Sequence, residues 1–243
     1  MALEPSPAEA EGGSASDTTG VPVLLVHGFA SSFERNWREP GWVDLLQDEG
    51  RQVIGVDLLG HGRADKPHDP AAYSTLEQDV AGALPADGAV DAIGFSLGAQ
   101  LLLRVAAVDP GRFRRLVVGG VGENVFRAGN PEPAARAIEA GETVEGDPAV
   151  AQAFARFARA PGNDPSALAA CLRRPSTPIA ADELSGLDRP ILVVLGDRDF
   201  AGPAAPLVAA LPNARFVSLH GVDHFGTPKD FRFMEAALEF LRD

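Results

Sequence analysis

Cysteine is almost absent from this chain: Cys171 is the single one in 243 residues. A lone cysteine closes no internal disulfide, and no Cys/His group has metal-ligand spacing, so neither a staple nor a metal centre is expected. Cys171 itself reads as a helix-face residue. Basic residues are scarce beside acidic ones, 21 against 34, and the resulting formal charge of −13 repels phosphate backbones and anionic lipid headgroups. Nucleic acid and membrane are therefore not expected partners. Long apolar runs are missing as well; none approaches the ~18 residues that span a bilayer. Residues 1–20 lack the basic and apolar regions of a signal peptide. Their Ala, Glu, Ser, Gly, Pro and Thr cannot bury enough surface to offset the entropy of ordering, so a disordered N-terminal segment is expected there. These absences point to a cytoplasmic protein.

What is present suits a folded domain with a large core: 45% hydrophobic and 23% charged residues. From residue 21 onward, short runs rich in Val, Ile and Leu at 21–26, 52–56, 90–93, 115–118, 191–195 and 215–219 read as strands buried on both faces. Between and after them, stretches at 33–49, 74–84, 97–108, 202–211 and 229–241 have helical character. This alternation predicts an α/β fold, a doubly wound and mostly parallel sheet with right-handed crossovers. One connection, of about 70 residues, is too long for a structureless loop in a compact domain. Its runs at 133–140, 148–160 and 165–173 open on prolines, as helices do. The chain therefore divides into a core (21–122 and 188–243) and a helical cap insertion (123–187).

The stretch Gly94-Phe95-Ser96-Leu97-Gly98 lies where the third strand meets its helix. So tight a turn forces Ser96 into a sparsely populated backbone conformation and requires small neighbours, which Gly94 and Gly98 are. The hydroxyl is then held above the sheet near backbone N–H groups at a helix start, the arrangement of a nucleophile elbow. The competing reading is plain capping, since serine is favoured at helix N-termini. A serine nucleophile needs a base, and the base an orienting carboxylate. Candidates follow the fifth strand, in Gly196-Asp197-Arg198-Asp199, and the sixth, in His220-Gly221-Val222-Asp223-His224-Phe225. The order Ser, Asp, His is that expected of an elbow hydrolase.

With these pieces the sequence resembles the α/β-hydrolase superfamily from about Val21 to Arg242. The likeness rests on Val23-Leu24-Leu25-Val26-His27-Gly28-Phe29, Val56-Asp57-Leu58-Leu59-Gly60-His61-Gly62-Arg63, the elbow, the Gly196 turn and Asp223-His224-Phe225. It implies Ser96 as nucleophile, His224 as base and Asp199 as acid, with Asp197 the runner-up acid and His220 the rival base. It implies an oxyanion hole made by the backbone N–H groups of Phe29 and Leu97, supported by His27, Gly28, Gly94 and Gly98, with no cofactor and no metal. Leu59, Ala64 and Asp223 depart from residues frequent in the family. Many members open with an antiparallel hairpin, for which the residues before Val21 are too few and too polar. About six strands in the order 2-1-3-4-5-6 are expected, with the second strand as an edge that a second copy could cover in a homodimer.

The reaction so implied is hydrolysis of a small to medium apolar ester by water through an acyl-enzyme. Histidines ordinarily titrate near ~6.5, so activity is expected to rise through about pH 6 to 8. Perhydrolase, lactonase, thioesterase and carbon–carbon bond hydrolase activities would use the same groups, whereas dehalogenase and epoxide-hydrolase relatives carry aspartate at the elbow. A non-catalytic ligand-binding module is the other class, but no member of the triad is missing. His27 and His61 read as structural, His68 as a solvated loop residue and Asp57 as a support for its own turn. Trp37, Trp42, Phe126, Phe154 and Phe157 read as core or pocket wall. Arg136, Arg156 and Arg159 are candidates to grip a substrate carboxylate or to form a solvated face.

Overall fold

The structure, a computed structural model, describes residues 20–141 and 149–242. The expected disordered segment at 1–20 lies outside them except for Gly20, as does the proline at 148 expected to open a helix. Among the described residues, β1 (Val23–Val26), β2 (Val53–Val56), β3 (Val90–Phe95), β4 (Phe113–Gly119), β5 (Ile191–Gly196) and β6 (Ala214–Leu219) form one sheet in the order β2-β1-β3-β4-β5-β6. Every neighbouring pair is parallel, so the sheet is wholly rather than mostly so.

Strands β1, β3 and β5 are buried at every position, which is why they read as continuous apolar runs. Leu24, Val26, Ala92, Val118 and Val193 pack on one face with α2 (Glu77–Ala83), α3 (Leu97–Val108) and α7 (Ala205–Ala210). Val23, Leu25, Ile93, Val117 and Val194 pack on the other with α1 (Trp42–Asp48) and α8 (Phe231–Arg242). There Trp42 sits edge-on between Trp37 and Phe233, at 5.3 and 4.9 Å between ring centres, and its indole N–H donates to the Pro228 carbonyl at 2.8 Å. Burial of the Phe233 side chain alone contributes roughly 1.5–3 kcal/mol. The one charge inside β3, Asp91, is fully buried and is held by Arg51 and Arg114.

Two helical stretches differ from the sequence reading. Residues 33–49 do not form one helix: a π-helical turn over Glu34–Arg38 is separated from α1 by Gly41, whose φ of 95° breaks the helix. Residues 74–84 narrow to α2, because Asp69 caps a separate 3₁₀ turn at Pro70–Tyr73 by accepting the Ala71 N–H.

Between β4 and β5 lie α4 (Glu132–Ala140), α5 (Ala149–Ala158) and α6 (Pro165–Leu172). Asp164 caps α6 by accepting the N–H groups of Ser166 and Ala167, with Pro165 at the first turn. Ala135, Ile138, Ala158 and Leu168 from these helices pack around Ala30 of the loop after β1. Cys171 faces the core from α6, and burial pushes its thiol up to about 11. His68 is solvent-exposed, as expected, and also lies 2.9 Å from Asp164, tying the loop after β2 to the α6 cap. No helix among the described residues is long and apolar enough to cross a membrane.

The register decides where side chains converge. Val26 pairs with Val56 and Gly94, Phe95 with Gly119, and Gly196 with Leu219. The residues that follow these pairs therefore leave the sheet along one edge, the carboxyl edge where parallel α/β sheets place their sites.

Candidate active site

Ser96 has φ 52° and ψ −111°, in the left-handed half of backbone space that a side chain normally avoids. The turn can close because Gly94 and Gly98 present no side chain: a Cβ on Gly98 would lie 2.3 Å from the Val26 carbonyl oxygen, and one on Gly94 2.8 Å from the backbone of Ala99. Ser96 holds the N-cap position of α3, yet its side chain makes no capping hydrogen bond. Its hydroxyl lies instead 2.9 Å from Nε2 of His224, which separates the elbow reading from plain capping.

The other ring nitrogen of His224 lies 2.9 and 3.0 Å from the two carboxylate oxygens of Asp199. These partners define the tautomer: Nδ1–H donates to Asp199, and Nε2 accepts the Ser96 O–H. Asp199 also accepts the Ala201 N–H at 2.8 Å. The side chains of His224 and Asp199 are 3% and 0% exposed, so the link between them is shielded from water. The alternatives lie elsewhere. His220 is 93% exposed and pairs at 2.7 Å with Asp197, which also accepts the Gly221 N–H. These two residues close their own surface turn and do not reach Ser96.

The loop after β1 faces the elbow. His27 donates through Nδ1 to the Gly28 carbonyl at 2.8 Å and accepts the Leu58 N–H at Nε2, so it braces two loops as a neutral ring. Burial, the largest influence, pushes its pKa down. His61 donates to the Leu59 carbonyl at 2.9 Å, and burial followed by the neighbouring His27 lowers it to about 3. Phe29 stands edge-on between His61 and Phe154, at 5.6 and 5.4 Å. Asp57 supports more than its own turn: it accepts the N–H of Phe33 at 2.8 Å and of Arg63 at 3.0 Å, joining the loops after β1 and β2.

One participant was not singled out from the sequence. Asn36, on the π-helical turn and 4% exposed, accepts the Gly28 N–H at 3.1 Å and fixes the loop carrying Phe29. Its own Nδ2 is buried without a partner. In sequence, Asn36 reads as one polar residue of an amphipathic run; only the π turn, a feature frequent at functional sites, turns it inward.

Ser96 and His224 open into a pocket of about 210 Å³ walled by Phe29, Phe95, Phe154, Phe157 and Phe225. Phe157, 44% exposed, stacks on Phe225 at 4.9 Å. Arg35, Glu39 and Lys229 also line it, whereas Arg136, Arg156 and Arg159 do not. Arg136, 65% exposed, pairs instead with Glu132 at 3.6 Å on the outside of α4, which fits the solvated-face reading for that residue. Among the described residues, no group of three His, Cys, Asp or Glu side chains is placed to hold a metal ion.

Comparison with known proteins agrees with this architecture. The non-heme chloroperoxidase of Streptomyces lividans is 35% identical over 103 residues, 41% of this chain and 36% of that protein. The chain spans about a third of the length of the curated relatives it matches. Among solved structures, the esterase RhEst1 from Rhodococcus sp. ECU1013 is similar over 94% of this chain and 92% of its own, with a TM-score of 0.68 and 25% identity. The enol-lactonase from Burkholderia xenovorans LB400 shares the fold over 92% of each chain, with a TM-score of 0.72 and 22% identity. The family model described as "Alpha/beta hydrolase family" matches residues 23–237, and with nearly the whole chain so covered, this protein belongs to the alpha/beta hydrolase family.

Proposed function

We propose that this protein is a serine hydrolase that cleaves small to medium apolar carboxylic esters through a Ser96-His224-Asp199 triad and an acyl-enzyme. The observation that carries this reading is the unbroken chain from the Ser96 hydroxyl through His224 to a fully buried Asp199, with 2.9 Å at each link.

In the first half-reaction His224 takes the hydroxyl proton at Nε2 as Ser96 Oγ attacks the carbonyl carbon. The resulting oxyanion accepts hydrogen bonds from the Phe29 and Leu97 amides, the second at the start of α3, where the helix dipole favours negative charge. The carbon–oxygen bond to the alcohol breaks, and the proton passes from His224 to the departing oxygen. In the second half-reaction His224 takes a proton from water, the hydroxide oxygen attacks the acyl carbon, and Ser96 leaves with that proton. Asp199 holds the ring in the working tautomer and stabilises its cation.

The pocket supports this substrate class. An apolar cavity of about 150 Å³ holds a benzene-sized molecule, so about 210 Å³ walled by phenylalanine suits a short acyl chain or a single ring. A second reading, hydrogen peroxide replacing water as acyl acceptor to form a peracid, is favoured by the likeness to the non-heme chloroperoxidase. The test is hydrolysis of p-nitrophenyl acetate, butyrate and octanoate by wild type and Ser96→Ala, with a fluorophosphonate probe followed by intact mass and peracid assayed in peroxide. Turnover favouring the short esters, and one adduct, both absent in Ser96→Ala, support the proposal. No turnover and no adduct in wild type would sink it and bring forward a ligand-binding module.

A further inference from the structure

A second cleft, of about 520 Å³, shares no lining residue with the Ser96 pocket. Arg104 on α3, Arg127 after the 3₁₀ turn Glu123–Phe126, and Arg174 just beyond α6 line it together, with Glu77 the only carboxylate among them. In a chain of net charge −13, a concave surface lined by three guanidinium-bearing residues is unusual: Glu77 and Glu123 offset two of them, and one positive charge is left in excess. A bound anion would pair with that excess charge and with the free N–H groups of the other two guanidinium forks.

The three side chains are also anchored. Arg104 donates to the Thr177 carbonyl and lies 3.5 Å from Glu77. Arg127 pairs with Glu123 at 2.7 Å. Arg174 donates through Nη1 to the Cys171 carbonyl at 2.9 Å, and no carboxylate among the described residues lies within ion-pair distance of it. Its charge is the least compensated of the three. Gln100, Ser176 and Thr177 complete a wall rich in polar groups. Guanidinium forks match phosphoryl and carboxylate oxygens two at a time, and the volume lies within the roughly 300–1,000 Å³ of small-molecule pockets.

We infer that this cleft is a binding site for a small polyanion carrying phosphoryl or carboxylate groups, separate from the Ser96 pocket. The probes are inorganic pyrophosphate and citrate, each titrated calorimetrically into the full chain at low ionic strength, where screening is weak. Saturable binding of at least one is expected. Arg174→Gln and Arg127→Gln should each weaken it tenfold or more while turnover of p-nitrophenyl acetate without the anion stays unchanged. Arg63→Gln, an exposed arginine outside the cleft, should leave the isotherm as it is. Preference for pyrophosphate identifies a phosphoryl ligand and preference for citrate a carboxylate one. No saturable heat with either probe, or equal weakening by Arg63→Gln, overturns the inference. Should one cleft variant fail to fold, the other decides.

Discussion

His224 Nδ1 lies 2.9 Å from Asp199, while Asp197, two residues earlier, lies 2.7 Å from His220 on the surface. The two carboxylates thus serve different histidines, and substitution separates them. Asp199→Asn should lower kcat by about 10⁴, because an amide in that place favours the wrong ring tautomer. Asp197→Asn should leave kcat within about twofold. Steady-state kinetics on p-nitrophenyl acetate decide, and equal losses in both variants would contradict the assignment.

Asn36 accepts the Gly28 N–H and so holds the loop that carries Phe29, the proposed oxyanion donor. In Asn36→Leu that buried donor has no partner, a cost of about 1–3 kcal/mol, and the Phe29 amide is free to drift. Urea melts should record the lost stability, and kcat should fall about 100-fold with little change in KM. A wild-type melt for Asn36→Leu would mean the hydrogen bond does not hold the loop.

Phe157 forms one wall of the pocket and is partly open to solvent. Phe157→Ala should widen the pocket at modest cost to stability and raise the kcat/KM ratio of octanoate to acetate esters about tenfold. An unchanged ratio would place the acyl group elsewhere.

His27 and His61 are buried, and their folded pKa values lie below the unfolded value of about 6.5, that of His61 at about 3. Below about pH 6.5 the unfolded chain binds protons at these rings that the folded chain does not, so stability falls as pH drops from 6.5 towards 3. Each ring contributes up to about 1.4 kcal/mol per pH unit. Denaturant melts at pH 7 and pH 5 should reveal the loss, and His61→Asn should flatten the slope. A slope unchanged by that variant would assign the acid sensitivity to other groups.

Much of this was legible in the residues themselves. The strands announce themselves because both faces of β1, β3 and β5 are buried, so side chains need not alternate with polar ones. The elbow is legible because Gly94, Ser96 and Gly98 are neighbours in sequence, and the steric demand that links them is local. The break at Gly41 was signalled by the Pro40-Gly41 pair, which ends helices, but the apolar spacing of residues 33–49 outweighed it; the π turn had no such signal. Asn36 was hidden with the π turn.

The sequence by itself determined the local pieces: the order of strands and helices, the serine between two glycines, and two short loops each offering an acid or a histidine. Taken as residues alone, Asp197 and Asp199 are equal in kind, as are His220 and His224; the family resemblance ranked Asp199 and His224 first. The tertiary structure supplies the physical reason for that ranking. The register of β5 against β6 turns the first of each pair outward and leaves Asp199 and His224 buried beside an elbow that follows β3, more than a hundred residues away in the case of Asp199. Burial and hydrogen-bond geometry at that distance belong to the packing of strands, and no property of the neighbouring residues encodes them.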